Sequence, residues 1–212
     1  MQMVLHKGKS MSGKQKKLAL VAGLVFAVSL AGCASPPLRL YTLEGAATVI
    51  PITSGPVAET GPVLEISRVT LPDYLDSQDI LTRRGNTVER SPNGRWAERL
   101  SSGITDLITA RISAARPDVF VTEQAPIGSF ARARLRIVIT RLDISTSGPA
   151  SLDANWTYIS DNDHGPVKTE RAHFTSSVSG SGTDERVVEI TNDLVNQLSR
   201  TIASSLPGSG TP

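Results

Sequence analysis

Cysteine occurs once in the 212 residues, at Cys33, so the chain cannot close an internal disulfide and packing alone must hold it together. Histidine occurs three times, and no zinc-ligand cluster, Gly-rich phosphate loop or nucleophile elbow is present, which leaves catalysis without a motif. Long apolar runs are missing too. The longest, Leu18 to Leu30, covers about 13 residues, too few to span a bilayer. Acidic residues are absent from the first 32 positions, where Lys7, Lys9, Lys14, Lys16 and Lys17 gather ahead of that run.

This arrangement, a basic start, a short apolar run and then the small residues Ala31 and Gly32, is that of a cleaved secretory segment. Met11 offers a second start that keeps Lys14, Lys16 and Lys17 before the same run. Leu30-Ala31-Gly32-Cys33 resembles the lipobox of bacterial lipoproteins, in which the thiol is acylated and becomes the new N-terminus. The resemblance implies a diacylglycerol and an N-acyl chain on Cys33 in place of any other cofactor, and attachment to the membrane through them. Each buried methylene contributes about 0.8 kcal/mol and one chain binds only reversibly, so two or three chains hold a protein essentially permanently. By resemblance to the sorting rule of enterobacterial lipoproteins, Ala34 in place of an Asp favours the periplasmic face of the outer membrane over retention in the inner one.

Losing residues 1–32 removes five of the 22 basic residues and none of the 20 acidic ones, leaving 17 against 20 and a net charge of −3. The basicity belongs to the leader, and nothing points to nucleic acid as a partner. The expected organisation is a leader over 1–32, a lipid tether over 33–37, one domain over 38–206 containing a loop at 44–62, and a disordered tail over 207–212. A mature chain of 180 residues suits one domain with a core of ordinary size.

Within that domain, Arg39 to Leu43 and Val63 to Leu71 read as strands, and Ile80 to Arg84 with Thr87 to Arg90 as a hairpin across Gly85-Asn86. Trp96, Leu100, Ile104, Leu107, Ile108 and Ile112 follow helical spacing, with Asn93 or Gly94 as cap and Pro117 as stop. Val119 to Thr122 is a short strand. Arg132 to Ile144 is a long one whose apolar parity switches, which predicts a bulge near Thr140 and Arg141. After the turn Ser147-Gly148-Pro149, alternation from Leu152 to Tyr158 predicts a half-buried strand, and Val167 to Ser179 returns beside it. Thr183 caps a second helix with Asp184 and Glu185 in its first turn and a stripe of Val187, Ile190, Thr191, Leu194, Val195, Leu198 and Ile202, closed by Pro207 and Gly208. The expected class is α+β, a sandwich of one mixed, mostly antiparallel sheet with two amphipathic helices packed on it.

The runs VTLPDYLD from Val69 to Asp76, ILTR from Ile80 to Arg83 and RWAERL from Arg95 to Leu100, in that order after a YTL strand, resemble the ABC-type transport auxiliary lipoproteins of the PqiC type. The resemblance runs from Leu38 to Leu206. It implies a lipoprotein that acts in membrane integrity with an inner-membrane ABC permease, its ATPase and an MCE-domain protein bridging the periplasm, moving lipid or other apolar molecules. A homo-oligomer is compatible with it.

Pro72 removes a ladder donor and fixes the chain direction, while Tyr74 and Leu75 set apolar area beside Asp73 and Asp76. Asp73, Tyr74, Leu75, Asp76 and Arg95 are therefore the candidate partner interface, although the same apolar residues also suit the plain covering of a sheet edge. Trp96 suits a core anchor better than an exposed hot spot. Asp73, Asp76 and Asp79 match no calcium loop, and Asp161, Asp163 and His164 fit a hairpin tip better than a metal site. Arg132, Arg134 and Arg136 share one strand face, open to acidic neighbours, to anionic headgroups or to an acidic partner. Two function classes remain: a non-catalytic transport subunit docking at the outer membrane, or a freestanding envelope lipoprotein that binds a small ligand or a cell-wall structure. A periplasmic hydrolase is a remote third. With only four residues between Cys33 and Leu38, the domain must sit within roughly 20 Å of the lipid.

Overall fold

The computed structural model describes residues 37–43, 62–124, 133–146, 148–160, 167–176 and 183–207. The leader, Cys33, the loop at 44–61, Arg132, the tip carrying Asp161, Asp163 and His164, and the tail beyond 207 lie outside them. The chain divides into two units, Met1–Pro37 and Leu38–Pro212, and every described strand and helix belongs to the second. Eight strands and two helices are described: β1 (Arg39–Tyr41), β2 (Val63–Ile66), β3 (Asp79–Arg84), β4 (Thr87–Trp96), α1 (Leu100–Ala115), β5 (Phe120–Thr122), β6 (Ala133–Asp143), β7 (Ala150–Ser160), β8 (Val167–Ser176) and α2 (Asp184–Ser205).

Strand β6 is the spine. Ala133, Leu135, Ile137 and Ile139 are buried in alternation with Arg134 and Arg136. The register then shifts between Ile139 and Arg141, so that Leu142 and Ile144 return to the same interior. This is the bulge that the parity switch demanded. One edge of β6 pairs antiparallel with β7 from Ala133↔Ser160 to Asp143↔Ser151, and β7 pairs in turn with β8. The other edge meets three separate segments. It pairs in parallel with β2 at Leu64↔Ala133, then with Thr70 through a bridge to Val138, and finally with Arg83, whose N–H donates to Ile144 O at 2.9 Å while Thr146 N–H donates to Arg83 O at 3.1 Å.

Pairing thus divides into two sheets, a five-stranded one in the order β5-β2-β6-β7-β8 and a three-stranded one in the order β1-β4-β3, touching at the Arg83–Ser145 bridge. A single sheet was expected because pairings of distant segments leave no mark in local sequence. The α+β class with two packed helices is as expected. The β3–β4 hairpin turns on Gly85-Asn86 with φ of +58° at Gly85, the first-position glycine that a type II′ turn requires.

Both helices cover the same core. Leu100, Ile104, Leu107, Ile108 and Ile112 of α1 and Val187, Ile190, Leu194, Val195, Leu198 and Ile202 of α2 join the inward residues of β6 and β7 in one apolar cluster. Thr105 ties the strand layer to α1, because its buried hydroxyl accepts from Val69 N–H at 3.0 Å and donates to Ser101 O at 2.6 Å. Thr183 caps α2 as predicted, accepting from Arg186 N–H. The start of α1 differs. Asn93, Gly94 and Trp96 belong to β4, which pairs in parallel with β1 at Arg39↔Gly94 and Tyr41↔Trp96, and the N-cap is Arg99 without a side-chain cap. Strand pairing overrides the helical spacing there, and Leu100 N–H finds its acceptor at Ser77 O, 3.1 Å away.

Candidate functional site

The segment from Leu71 to Gln78 folds into consecutive tight turns. Leu75 N–H and Asp76 N–H both donate to Pro72 O, at 2.9 and 3.2 Å, and Ser77 N–H donates to Leu75 O at 2.8 Å. Leu71 and Leu75 are buried and pin the turn at both ends, which pushes the residues between them outward. Asp73 is exposed, and Tyr74 keeps 46% of its surface in solvent, its hydroxyl accepting from Arg83 Nη2 at 3.4 Å. Tyr74 and the exposed Val88 rim a groove lined also by Leu81, Arg83 and Leu142.

The five candidate interface residues therefore separate. Asp73 and Tyr74 face solvent, whereas Leu75 lies in the core. Asp76 is half-buried and engaged by Arg99, whose Nη1 donates to Asp76 O at 2.7 Å and lies 3.4 Å from Oδ2. Arg95 is consumed inside the hairpin: its Nε pairs with Asp79 Oδ1 at 3.2 Å, and its Nη1 donates to Ser91 O and Gly94 O. Trp96 is buried. The three aspartates do not converge, since Asp79 meets Arg95 and Arg90, Asp76 meets Arg99 and Asp73 points outward. Among the described residues no group of acidic, histidine or cysteine side chains is placed to hold a metal.

A second surface is the helix-free face of the five-stranded sheet. Arg134 pairs with Glu65 on β2 at 3.5 Å, and Arg136 stands exposed two residues further along. A row of alternating basic and acidic side chains crosses from one sheet to the other. Arg83 Nε meets Asp143 Oδ1 at 2.7 Å, Asp143 Oδ2 meets Arg141 Nε at 2.9 Å, Arg141 Nη1 lies 3.7 Å from Asp153 Oδ2, and Asp153 Oδ1 meets His173 Nδ1 at 2.5 Å. The hydrogen bond to Asp143 raises the pKa of Arg83 above its ordinary value. Sequence reasoning missed this row, because Arg141, Asp153 and His173 become neighbours only through the register Arg141↔Asp153↔His173.

The family described as ABC-type transport auxiliary lipoprotein component matches residues 41–203. The chain belongs to this family. Among solved structures it is similar to an uncharacterized protein, at 20% identity and TM-score 0.64, over 81% of this chain and 100% of the other. It is also similar to a Xanthomonas campestris protein of the DUF330 family, at 15% identity and TM-score 0.51, over 67% and 81% of the two chains. At these identities the likeness is one of fold. No curated protein matches the sequence.

This auxiliary lipoprotein carries one more grouping that its sequence did not announce. Glu98 ahead of α1, Asp106 within it and Glu123 after β5 approach one another around Arg68. Burial, then the hydrogen bond and charge of Asp106, push the Glu123 carboxyl up to about 7, with Arg68 opposing. Glu98 is raised chiefly by burial. The gap lined by Leu75, Trp96, Leu100, Val187 and Thr191 has a volume of about 10 Å³, roughly room for one water.

Proposed function

We propose that this auxiliary lipoprotein is a non-catalytic subunit of an MCE-type ABC transport system that moves lipids or other apolar molecules between the inner and outer membranes. Its leader is residues 1–32, its acyl chains sit on Cys33, residues 33–37 are a tether and residues 38–206 are the working domain. It stays at the outer membrane and receives an MCE-domain protein that reaches it from the permease and ATPase. Family membership supports the transport role. The observation that carries the docking role is Tyr74, an aromatic side chain held half out of the surface by a turn whose flanking leucines are locked in the core. An aromatic ring presented on a rigid support beside a groove of mixed apolar and charged lining is a common anchor of a protein interface.

Photo-crosslinkers at Asp73 and Tyr74, with Thr169 on β8 as control, test this in cells that contain the cognate transporter. Crosslinks from positions 73 and 74 to an MCE-domain protein are expected. Crosslinks from 169 alone, or none to any transport subunit, would remove this placement of the interface.

A further inference from the structure

Strand β1 and the residue that precedes it leave two leucines in solvent. Leu38 and Leu40 are 61% and 63% exposed, while the alternate residues Arg39 and Tyr41 turn the other way and bind Glu185 Oε1 at 3.1 and 2.7 Å. Those two bonds fix which face of the strand looks outward. Leu40 stands opposite Arg95 in the β1–β4 register, and Arg95 shares Asp79 with Arg90, whose side chain is itself largely exposed. Two arginines against one aspartate leave this face positive around its leucines. Leu38 also follows Cys33 by only five residues, which at full extension span at most about 18 Å.

We propose that this outer face of β1 and β4 lies against the phospholipid surface, with Leu38 and Leu40 entering the interface and the exposed Arg90 meeting anionic headgroups. The inference rests on the lipid anchor at Cys33, because the tether is what brings the strand to the bilayer. Paired apolar side chains rimmed by basic ones are the composition that seats a protein in the headgroup and acyl boundary. The anchor and the face then act together: the acyl chains hold the protein on the membrane, and β1 sets its orientation. That orientation fixes which other surfaces face the periplasm.

The test uses the full lipidated chain in vesicles of phosphatidylethanolamine and phosphatidylglycerol, carrying a spin label on Leu40→Cys or, as reference, on Val167→Cys in β8, where Val167 is 67% exposed. With Cys33 acylated, the introduced thiol is the one that reacts. Flotation reports anchoring, and collision with oxygen or with an aqueous nickel chelate reports position. Both variants are expected to float, with the label at 40 shielded from the chelate yet reached by oxygen and the label at 167 open to the chelate. Equal chelate access at both positions in floating protein overturns this face and leaves the anchor standing. Shielding at 40 from both reagents would mean that protein covers the strand, which also overturns it. Failure to float removes the anchor and this inference with it.

Discussion

The two sheets of this protein share one apolar core but draw on it unequally. In the five-stranded sheet, β6, β7 and β8 run through 10 or 11 residues each and join by long antiparallel ladders, and β6 and β7 bury one face under the helices. In the three-stranded sheet, β1 contributes three residues in parallel pairing, Ile80 and Trp96 enter the shared apolar core, and polar side chains fasten the strands further to the helix layer. Ser91 Oγ donates to Asp184 Oδ2 at 2.9 Å, and Arg39 and Tyr41 both reach Glu185, so the first turn of α2 clasps the smaller sheet. Burial that many residues share resists small edits, whereas a clasp fails at single atoms. The large sheet therefore supplies most of the rigid body, and the small sheet, with its exposed β1, leaves more of its side chains at the surface.

The most damaging substitution should fall where both sheets depend on one residue. Leu107 is fully buried within the cluster that joins both helices to the strands. Leu107→Ala should cost about 2–5 kcal/mol through lost transfer energy and the cavity left behind. Denaturant unfolding should remain one transition shifted to lower midpoint. Two separated transitions would show that the sheets fold apart and would break the comparison.

The clasp comes next. A Cβ built on Gly94 would lie 2.2 Å from Asp184 Oδ2 and 2.5 Å from its Cγ, so Gly94→Ala must drive the carboxylate off Ser91. The expected cost is about 1–3 kcal/mol, as for other overpacked sites. Combining it with Asp184→Ala sharpens the test, because the smaller side chain frees the space and the double variant should lose less than the sum of the singles. Strict additivity would place the strain elsewhere. Thr183→Ala, which removes the cap one residue earlier, should cost about 1 kcal/mol by thermal unfolding.

The same division explains what could be read from the sequence. Strands β6 and β7 and helix α2 were legible down to the bulge and the cap, because alternation, a parity switch and a Thr-Asp-Glu start are local patterns. The start of α1 was misplaced because Trp96, Leu100 and Ile104 keep a four-residue spacing across a strand end, and the partner that holds Trp96 in a strand is Tyr41, far away in sequence. At the candidate site the turn was legible from Pro72. The split of its residues into exposed Asp73 and Tyr74 and buried Leu75 was not, since it follows from how Leu71 and Leu75 meet the core. The charge row and the acidic group around Arg68 arise wholly from long-range pairing.

That acidic group, at the edge of the helix layer beside β5, provides the smallest expected effect. Glu123 has a folded pKa of about 7 against an ordinary value of 4.5, so between these values the folded chain holds a proton that the unfolded chain has released. Stability from this group is complete below about pH 4.5, falls as pH rises through the window and levels off above about 7. Glu123 is exposed by surface area, so solvent screens the penalty and the whole change should stay below about 1 kcal/mol. Glu123→Gln should leave stability unchanged at pH 4 and raise it slightly at pH 8, flattening the slope between. Chemical unfolding at the two pH values measures this directly. A variant that lost stability at pH 8 would show that the Glu123 carboxylate is stabilised there, by Arg68 or another cation, and the sign assigned to burial would be wrong.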